Sequence, residues 1–180
     1  MRLIKLLGLL TILLGISTLS LVGAGEKNFD PKEPLQASKA EIKWHDYDVG
    51  LKKAKDINRH VFIDFTAKWC GYCKKMDREV FSDPRIIDLL NNDFVSVRVD
   101  GDSRRELDID GYKITEQNLA KSEFGVRGYP TFWFLKPDGS KLTLIGGYRP
   151  TDYMLEALTF VKDYKYDSTV TETDKDTLEN

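Results

Sequence analysis

An α/β fold with a small mixed sheet, parallel in its first half and antiparallel in its second, is predicted by the order of hydrophobic patterns. Three observations carry that prediction. Val61-Phe62-Ile63-Asp64-Phe65 is apolar on both faces, as a central strand is, with Asp64 as its exception. Phe94 to Val99 alternates, with Val95, Val97 and Val99 facing one way. Thr131 to Leu135 and Leu142 to Ile145 flank Pro137-Asp138-Gly139, a turn that makes the last two strands antiparallel. Helical patterns fill the intervals, so a central sheet of four to five strands flanked by helices is expected.

The chain has 180 residues, 41% apolar and 31% charged, the balance of a globular protein with one domain once the ends are set aside. Arg2 and Lys5 precede an uncharged apolar run from Leu6 to Val22, and Val22-Gly23-Ala24 supplies small residues for cleavage. Residues 1–24 therefore read as a signal peptide or, given the length of the run, an N-terminal membrane anchor. Cleavage after Ala24 leaves 25 basic against 29 acidic residues, a net charge of −4. Residues 25–41 are polar and patternless, a flexible linker; 42–164 form the domain; 165–180 form a polar, disordered tail. Export gives cysteines a compartment where disulfides persist. The acidic balance offers no basic face for nucleic acid.

Within the domain, Ile42 to Trp44 is expected as a short edge strand. Asp46 or Asp48 suits the cap of a helix in which Tyr47, Leu51 and Ala54 share a face. After the first long strand, a helix presents Cys73, Met76 and Val80 on one side. Asp83-Pro84 opens a second helical segment carrying Ile86, Ile87, Leu89 and Leu90. Residues 100–114 read as a hairpin insertion, with Asp110-Gly111 as its turn. Thr115 caps a helix running to Phe124, which Gly125 ends. Pro150-Thr151-Asp152 starts a last helix with Met154, Leu155, Leu158 and Val161 inward.

The only two cysteines are Cys70 and Cys73, separated by two residues at the start of a helix. A helix N-terminus favours the thiolate, which is the attacking species. Cys70 is expected as the more exposed of the two and as the nucleophile, with Cys73 resolving the mixed disulfide. A static disulfide is a weaker explanation, because so short a loop adds little chain-entropy stabilisation. A zinc site lacks ligands beyond the isolated His45 and His60. Haem attachment needs a histidine where Lys74 stands. Glu106, Asp108 and Asp110 faintly suggest a calcium loop, but Gln117 occupies the position of the bidentate acid and a hairpin turn suffices to explain them. No metal and no cofactor are expected.

Val61 through Lys74, with Trp69-Cys70-Gly71-Tyr72-Cys73 at its end, resembles the active-site strand, turn and helix start of the thioredoxin superfamily. Gly125-Val126-Arg127-Gly128-Tyr129-Pro130-Thr131 resembles its cis-proline loop, and the likeness covers about residues 42–162. Val80-Phe81-Ser82-Asp83-Pro84 is similar to exported members, among them the periplasmic C-terminal domain of transmembrane thiol reductant transporters. The insertion is more distantly similar to sulfur-oxidation-associated thioredoxins. The resemblance implies a thioredoxin fold and a redox-active Cys70–Cys73 disulfide. It implies that Asp64 is a buried acid assisting the resolving thiol through water. It also implies substrate contacts from Trp69, Gly71 and Tyr72 on one side of the cysteines and Tyr129, cis-Pro130 and Thr131 on the other.

The function expected is an exported, periplasmic or extracytoplasmic thiol–disulfide oxidoreductase, monomeric, reducing disulfides of partner proteins. No Gly-rich dinucleotide fingerprint is present, so electrons are expected from a membrane thiol donor protein. The alternatives are a disulfide oxidase or isomerase, and a non-catalytic metal carrier or binding module on the same fold.

Overall fold

The computed structural model describes residues 40–167. The expected signal peptide or anchor, nearly all of the linker, and residues 168–180 of the tail lie outside the described residues.

In chain order the elements are α1 (Tyr47–Asp56), β1 (His60–Thr66), α2 (Gly71–Glu79), α3 (Pro84–Asn92), β2 (Phe94–Asp100), β3 (Glu106–Ile109), β4 (Tyr112–Thr115), α4 (Glu116–Asn118), β5 (Thr131–Leu135), β6 (Lys141–Gly146) and α5 (Thr151–Lys162). The main sheet runs β2-β1-β5-β6. β1 is parallel to β2 and antiparallel to β5, and β5 is antiparallel to β6. This is the expected α/β arrangement, a mixed four-stranded sheet flanked by helices.

β1 is buried on both faces, which is why its sequence lacks a polar side. Val61, Ile63 and Phe65 pack with Val95, Val97, Val99, Leu119 and Phe124 on one face. Phe62 packs with Met76, Val80, Ile86, Phe132, Met154 and Leu158 on the other. Alternation puts Asp64 on the Phe62 side, the side covered by α2. β3 and β4 form a separate two-stranded hairpin, closed by Asp110 and Gly111, both in the left-handed region that such a two-residue turn requires.

Four local expectations are corrected. Ile42–Trp44 forms no strand; the β2 edge is met instead by His45, bridging in parallel to Val97. Asp46 holds the N-cap position of α1, but its side chain makes no capping bond because Arg105 takes the carboxylate, at 2.6 and 2.9 Å. The segment after Thr115 is α-helical only to Asn118, then π-helical over Leu119–Glu123, where the Phe124 N–H reaches back to the Leu119 carbonyl. The domain's contacts also continue beyond residue 164: His60 Nε2 lies 2.6 Å from the Tyr166 hydroxyl, and the buried imidazole also meets the Tyr164 ring at a tilt.

Candidate redox site

β1 delivers its C-terminal end to the surface, and the turn through Ala67 aims the next residues at the N-terminus of α2. Cys70 is the N-cap of that helix, and its Sγ accepts the Cys73 N–H at 3.0 Å. That bond places a backbone donor on the sulfur that would carry negative charge after reduction. Cys70 and Cys73 are disulfide-bonded, with Cα atoms 5.3 Å apart. The expected greater exposure of Cys70 is not observed. The two cysteines are 3% and 4% exposed, because Ala67 and Tyr129 pack over the bonded sulfurs.

Trp69 and Tyr72, next to the cysteines in sequence, stand out at 70% and 64% exposure. Trp69 meets Tyr129 edge-on, with centroids 5.9 Å apart, and Tyr72 leans toward Tyr148 at 6.4 Å. Gly71, the first residue of α2, is exposed between them. The Tyr129–Pro130 peptide is cis. The Pro130 carbonyl accepts the Gly147 N–H at 2.8 Å, and Thr131 Oγ1 donates to the Gly128 carbonyl at 2.8 Å. Among the described residues no hydrogen bond engages the Tyr129 N–H or C=O.

Asp64 lies beneath the site, 2% exposed. Arg98 Nε donates to Asp64 Oδ2 at 2.9 Å, and the same guanidinium reaches Asp77 at 2.6 Å while lying over the Trp44 ring. Asp64 Oδ1 is buried without a partner. Burial pushes the Asp64 carboxyl up to about 6; Arg98 opposes that rise and Asp77 adds to it. A cavity of about 340 Å³ beside the disulfide has Cys73, Asp77 and Arg98 in its lining.

Sequence reasoning missed four contributors. Arg98 faces Asp64 only because β1 and β2 pair in that register. Asp102 accepts the Trp69 indole N–H. Gly101 leaves room for the Tyr129 ring: a Cβ there would lie 1.9 Å from the phenol oxygen. Tyr148 donates to Glu79 at 3.0 Å and receives Lys75 over its ring. The run Asp100-Gly101-Asp102 between a strand and the insertion was the one local signal of a functional turn.

The arrangement suits two-electron thiol–disulfide exchange: a capped sulfur, a second sulfur one helical turn on, a buried acid near neutrality, and an open backbone beside them. Residues 47–162 match the family described as a thioredoxin-like domain. A protein disulfide-isomerase of Triticum aestivum is 30% identical over 119 residues, covering 66% of this chain and 19% of that protein. The thiol:disulfide interchange protein DsbD of Campylobacter jejuni is 31% identical over 129 residues, covering 68% of this chain and 21% of that protein. The chain thus spans about a fifth of the length of these curated relatives. Among solved structures, a thioredoxin from Thermus thermophilus superposes with a TM-score of 0.56 at 31% identity, covering 67% of this chain and 87% of that one. With the family matched over residues 47–162 and its cysteine pair joined at the head of α2, the chain belongs to the thioredoxin-like domain family.

Proposed function

We propose that the chain is an exported thiol–disulfide oxidoreductase that reduces disulfides of partner proteins. The observation that carries this reading is the Cys70 sulfur at the cap of α2, receiving the Cys73 N–H and bonded to the Cys73 sulfur. In the reduced chain the Cys70 thiolate attacks one sulfur of a partner disulfide, and the other partner sulfur leaves as a thiolate. The Cys73 thiol then loses its proton toward Asp64, which is ionised at neutral pH because its carboxyl lies at about 6. Cys73 attacks Cys70 Sγ and frees the second partner thiol. Two electrons pass to the partner, and the chain is left with its disulfide.

Trp69, Gly71 and Tyr72 receive the partner on one side of the sulfurs; Tyr129, Pro130 and Thr131 receive it on the other. The unengaged Tyr129 N–H and C=O supply backbone hydrogen bonds to an extended segment. Electrons return from a membrane thiol donor, a reading supported by the thiol:disulfide interchange relative. Export and a periplasmic or extracytoplasmic location rest on the basic and then apolar composition of residues 1–24. Among the described residues no helix is long and apolar enough to cross a membrane.

Insulin reduction in the presence of dithiothreitol, with a redox titration of Cys70 and Cys73, tests the reading. Turnover that is abolished by Cys70→Ser, with a potential below about −200 mV, is expected. A potential near about −120 mV with the pair oxidised in cells would reverse the direction of electron flow.

A further inference from the structure

Arginine grips a carboxylate well side-on, when Nε and the neighbouring terminal nitrogen each donate to one oxygen. Arg85 makes this fork on Asp83, with Nε 3.1 Å from Oδ1 and Nη2 2.8 Å from Oδ2, and holds the Asp83 carboxyl below its ordinary value. Arg98 does not make it on Asp64. Its Nε donates to Asp64 Oδ2 at 2.9 Å, but Nη2, the nitrogen that would complete the fork, donates to Asp77 Oδ1 at 2.6 Å. Among the described residues, nothing partners the buried Asp64 Oδ1. The Trp44 ring, its centroid 4.1 Å from the guanidinium carbon, backs the arginine in this divided pose.

Asp77 differs from Asp64 in exposure, at 48% of its side chain against 3%. It lies on α2 four residues after Cys73, so the two share a face of the helix, and both line the cavity of about 340 Å³ beside the disulfide. Among the described residues, the other charged groups of that cavity are Lys68, Lys74, Asp100, and Arg105 paired with Asp46 and Glu116. Phe132, opposite Asp64 on β5, brings no charge. Beyond burial, which raises the Asp64 carboxyl most, two charges act on it: Arg98 lowers it and Asp77 raises it.

On the oxidoreductase reading above, we propose that Asp77 is a positioning residue for the resolving step: by holding Nη2 of Arg98 it keeps one oxygen of Asp64 free to take the Cys73 proton. In that step the proton passes from Cys73 Sγ to Asp64, the Cys73–Cys70 bond forms, and the partner sulfur leaves Cys70 as a thiolate. Without Asp77, the arginine turns both nitrogens onto Asp64. The buried carboxylate then meets two donors and loses a repelling neighbour, and both changes make it a weaker base.

The test follows the pre-reduced full chain against a disulfide-linked peptide dimer in single turnover, from about pH 4 to about pH 8. Acid quenching separates formation of the mixed disulfide from its resolution. In the parent the resolving rate steps up near pH 6. Asp77→Asn is expected to move that step down by about one pH unit and to slow resolution above it about threefold, with formation of the mixed disulfide changed less. In an Arg98→Met background, Asp77→Asn is expected to move the step less than about half as far. A step that stays in place in Asp77→Asn, that moves equally with and without Arg98, or that is missing from the parent overturns the positioning role and leaves the oxidoreductase reading standing. If the parent forms no mixed disulfide and reduces no peptide, that reading fails and the positioning role falls with it.

Discussion

Asp64 and Arg98 stand opposite each other on adjacent parallel strands, and their side chains are joined at 2.9 Å under the redox disulfide. The acid is almost wholly buried, whereas the arginine keeps 30% of its side chain in solvent and shares itself with Asp77. Burial lifts the Asp64 carboxyl to about 6 against the pull of Arg98, so the acid is ionised at neutral pH and takes up a proton just below it.

Arg98→Met leaves Asp64 buried without a cation, so its carboxyl is expected to titrate above 6. The cost to stability is about 3 kcal/mol at pH 8, shrinking toward pH 5 as Asp64 takes up a proton. Denaturant midpoints across that range measure it. A penalty independent of pH would mean that Asp64 is not the group left uncompensated.

Asp64→Asn separates the roles of the acid in folding and in chemistry. The folded value of Asp64 lies above the ordinary 3.8, so its contribution to stability is complete below that pH and lost as pH rises through about 6. The variant is therefore expected to gain on the parent as pH rises, by up to roughly 3 kcal/mol. Its turnover is expected to fall about tenfold or more, with mixed disulfide accumulating and the step in rate near pH 6 gone. Unchanged rates across pH would remove Asp64 from the exchange.

His60 is buried against Tyr164 and Tyr166 at the opposite end of β1, and burial lowers it to about 4, with Lys136 contributing. Its folded value lies below the ordinary 6.5, so its contribution is complete above that pH and is lost as pH falls through about 4. Between pH 4 and 6 this slope opposes that of Asp64. Truncation after Tyr164 removes the hydroxyl partner and is expected to raise the His60 value toward 6.5. It should cost about 1 kcal/mol at pH 7. An imidazole titration by NMR that is unmoved by the truncation would contradict this.

Arg105 holds Asp46 at the head of α1 and the buried Glu116 after the hairpin, and it keeps the Asp46 carboxyl below its usual range. Its side chain is 44% exposed, so solvent screens part of each pairing. Arg105→Met is expected to cost about 1–2 kcal/mol, mostly through Glu116 left buried without its cation. Hydrogen exchange should quicken over residues 103–117. Uniform quickening across the whole domain would instead point to global destabilisation.

Gly101→Ala puts a methyl group where the Tyr129 phenol lies. The ring must leave its present place beside the cysteines and Trp69 to clear it. A rise in KM of about threefold or more is expected with the melting temperature nearly unchanged, because the displaced atoms are the outer end of a partly exposed side chain. An unaltered KM would show that the placement of Tyr129 is immaterial to substrate.

What the sequence disclosed was local. The double-sided apolar pattern of β1, the Asp110-Gly111 turn and the Asp83-Pro84 helix start each depend on residues next to one another. The cysteine pair and the Tyr129-Pro130 turn were legible for the same reason, being contiguous motifs. What escaped depends on strand register and on contacts between distant segments. Asp64 was marked as anomalous, but Arg98 lies 34 residues away and only the β1–β2 register brings it opposite. Asp46 has the composition of a helix cap, yet an arginine 59 residues later claims it. The burial of Cys70 arises partly from Tyr129, which packs over it from the turn before β5, 59 residues later in the chain but on the strand next to β1. Ile42–Trp44 has the composition of a strand, but His45 makes the bridge to β2.

The link between His60 and Tyr166 bears on how the domain would respond to tension. Tyr166 lies beyond α5, and His60 is the first residue of the central strand, at the end away from the cysteines. A pull on the C-terminal end would load this aromatic clasp first and pass into β1 at its far tip. The sulfur pair, at the other tip, would stay out of the path of the force until the clasp gave way. The point where the tail is fastened is thus separated from the sulfurs by the length of the central strand.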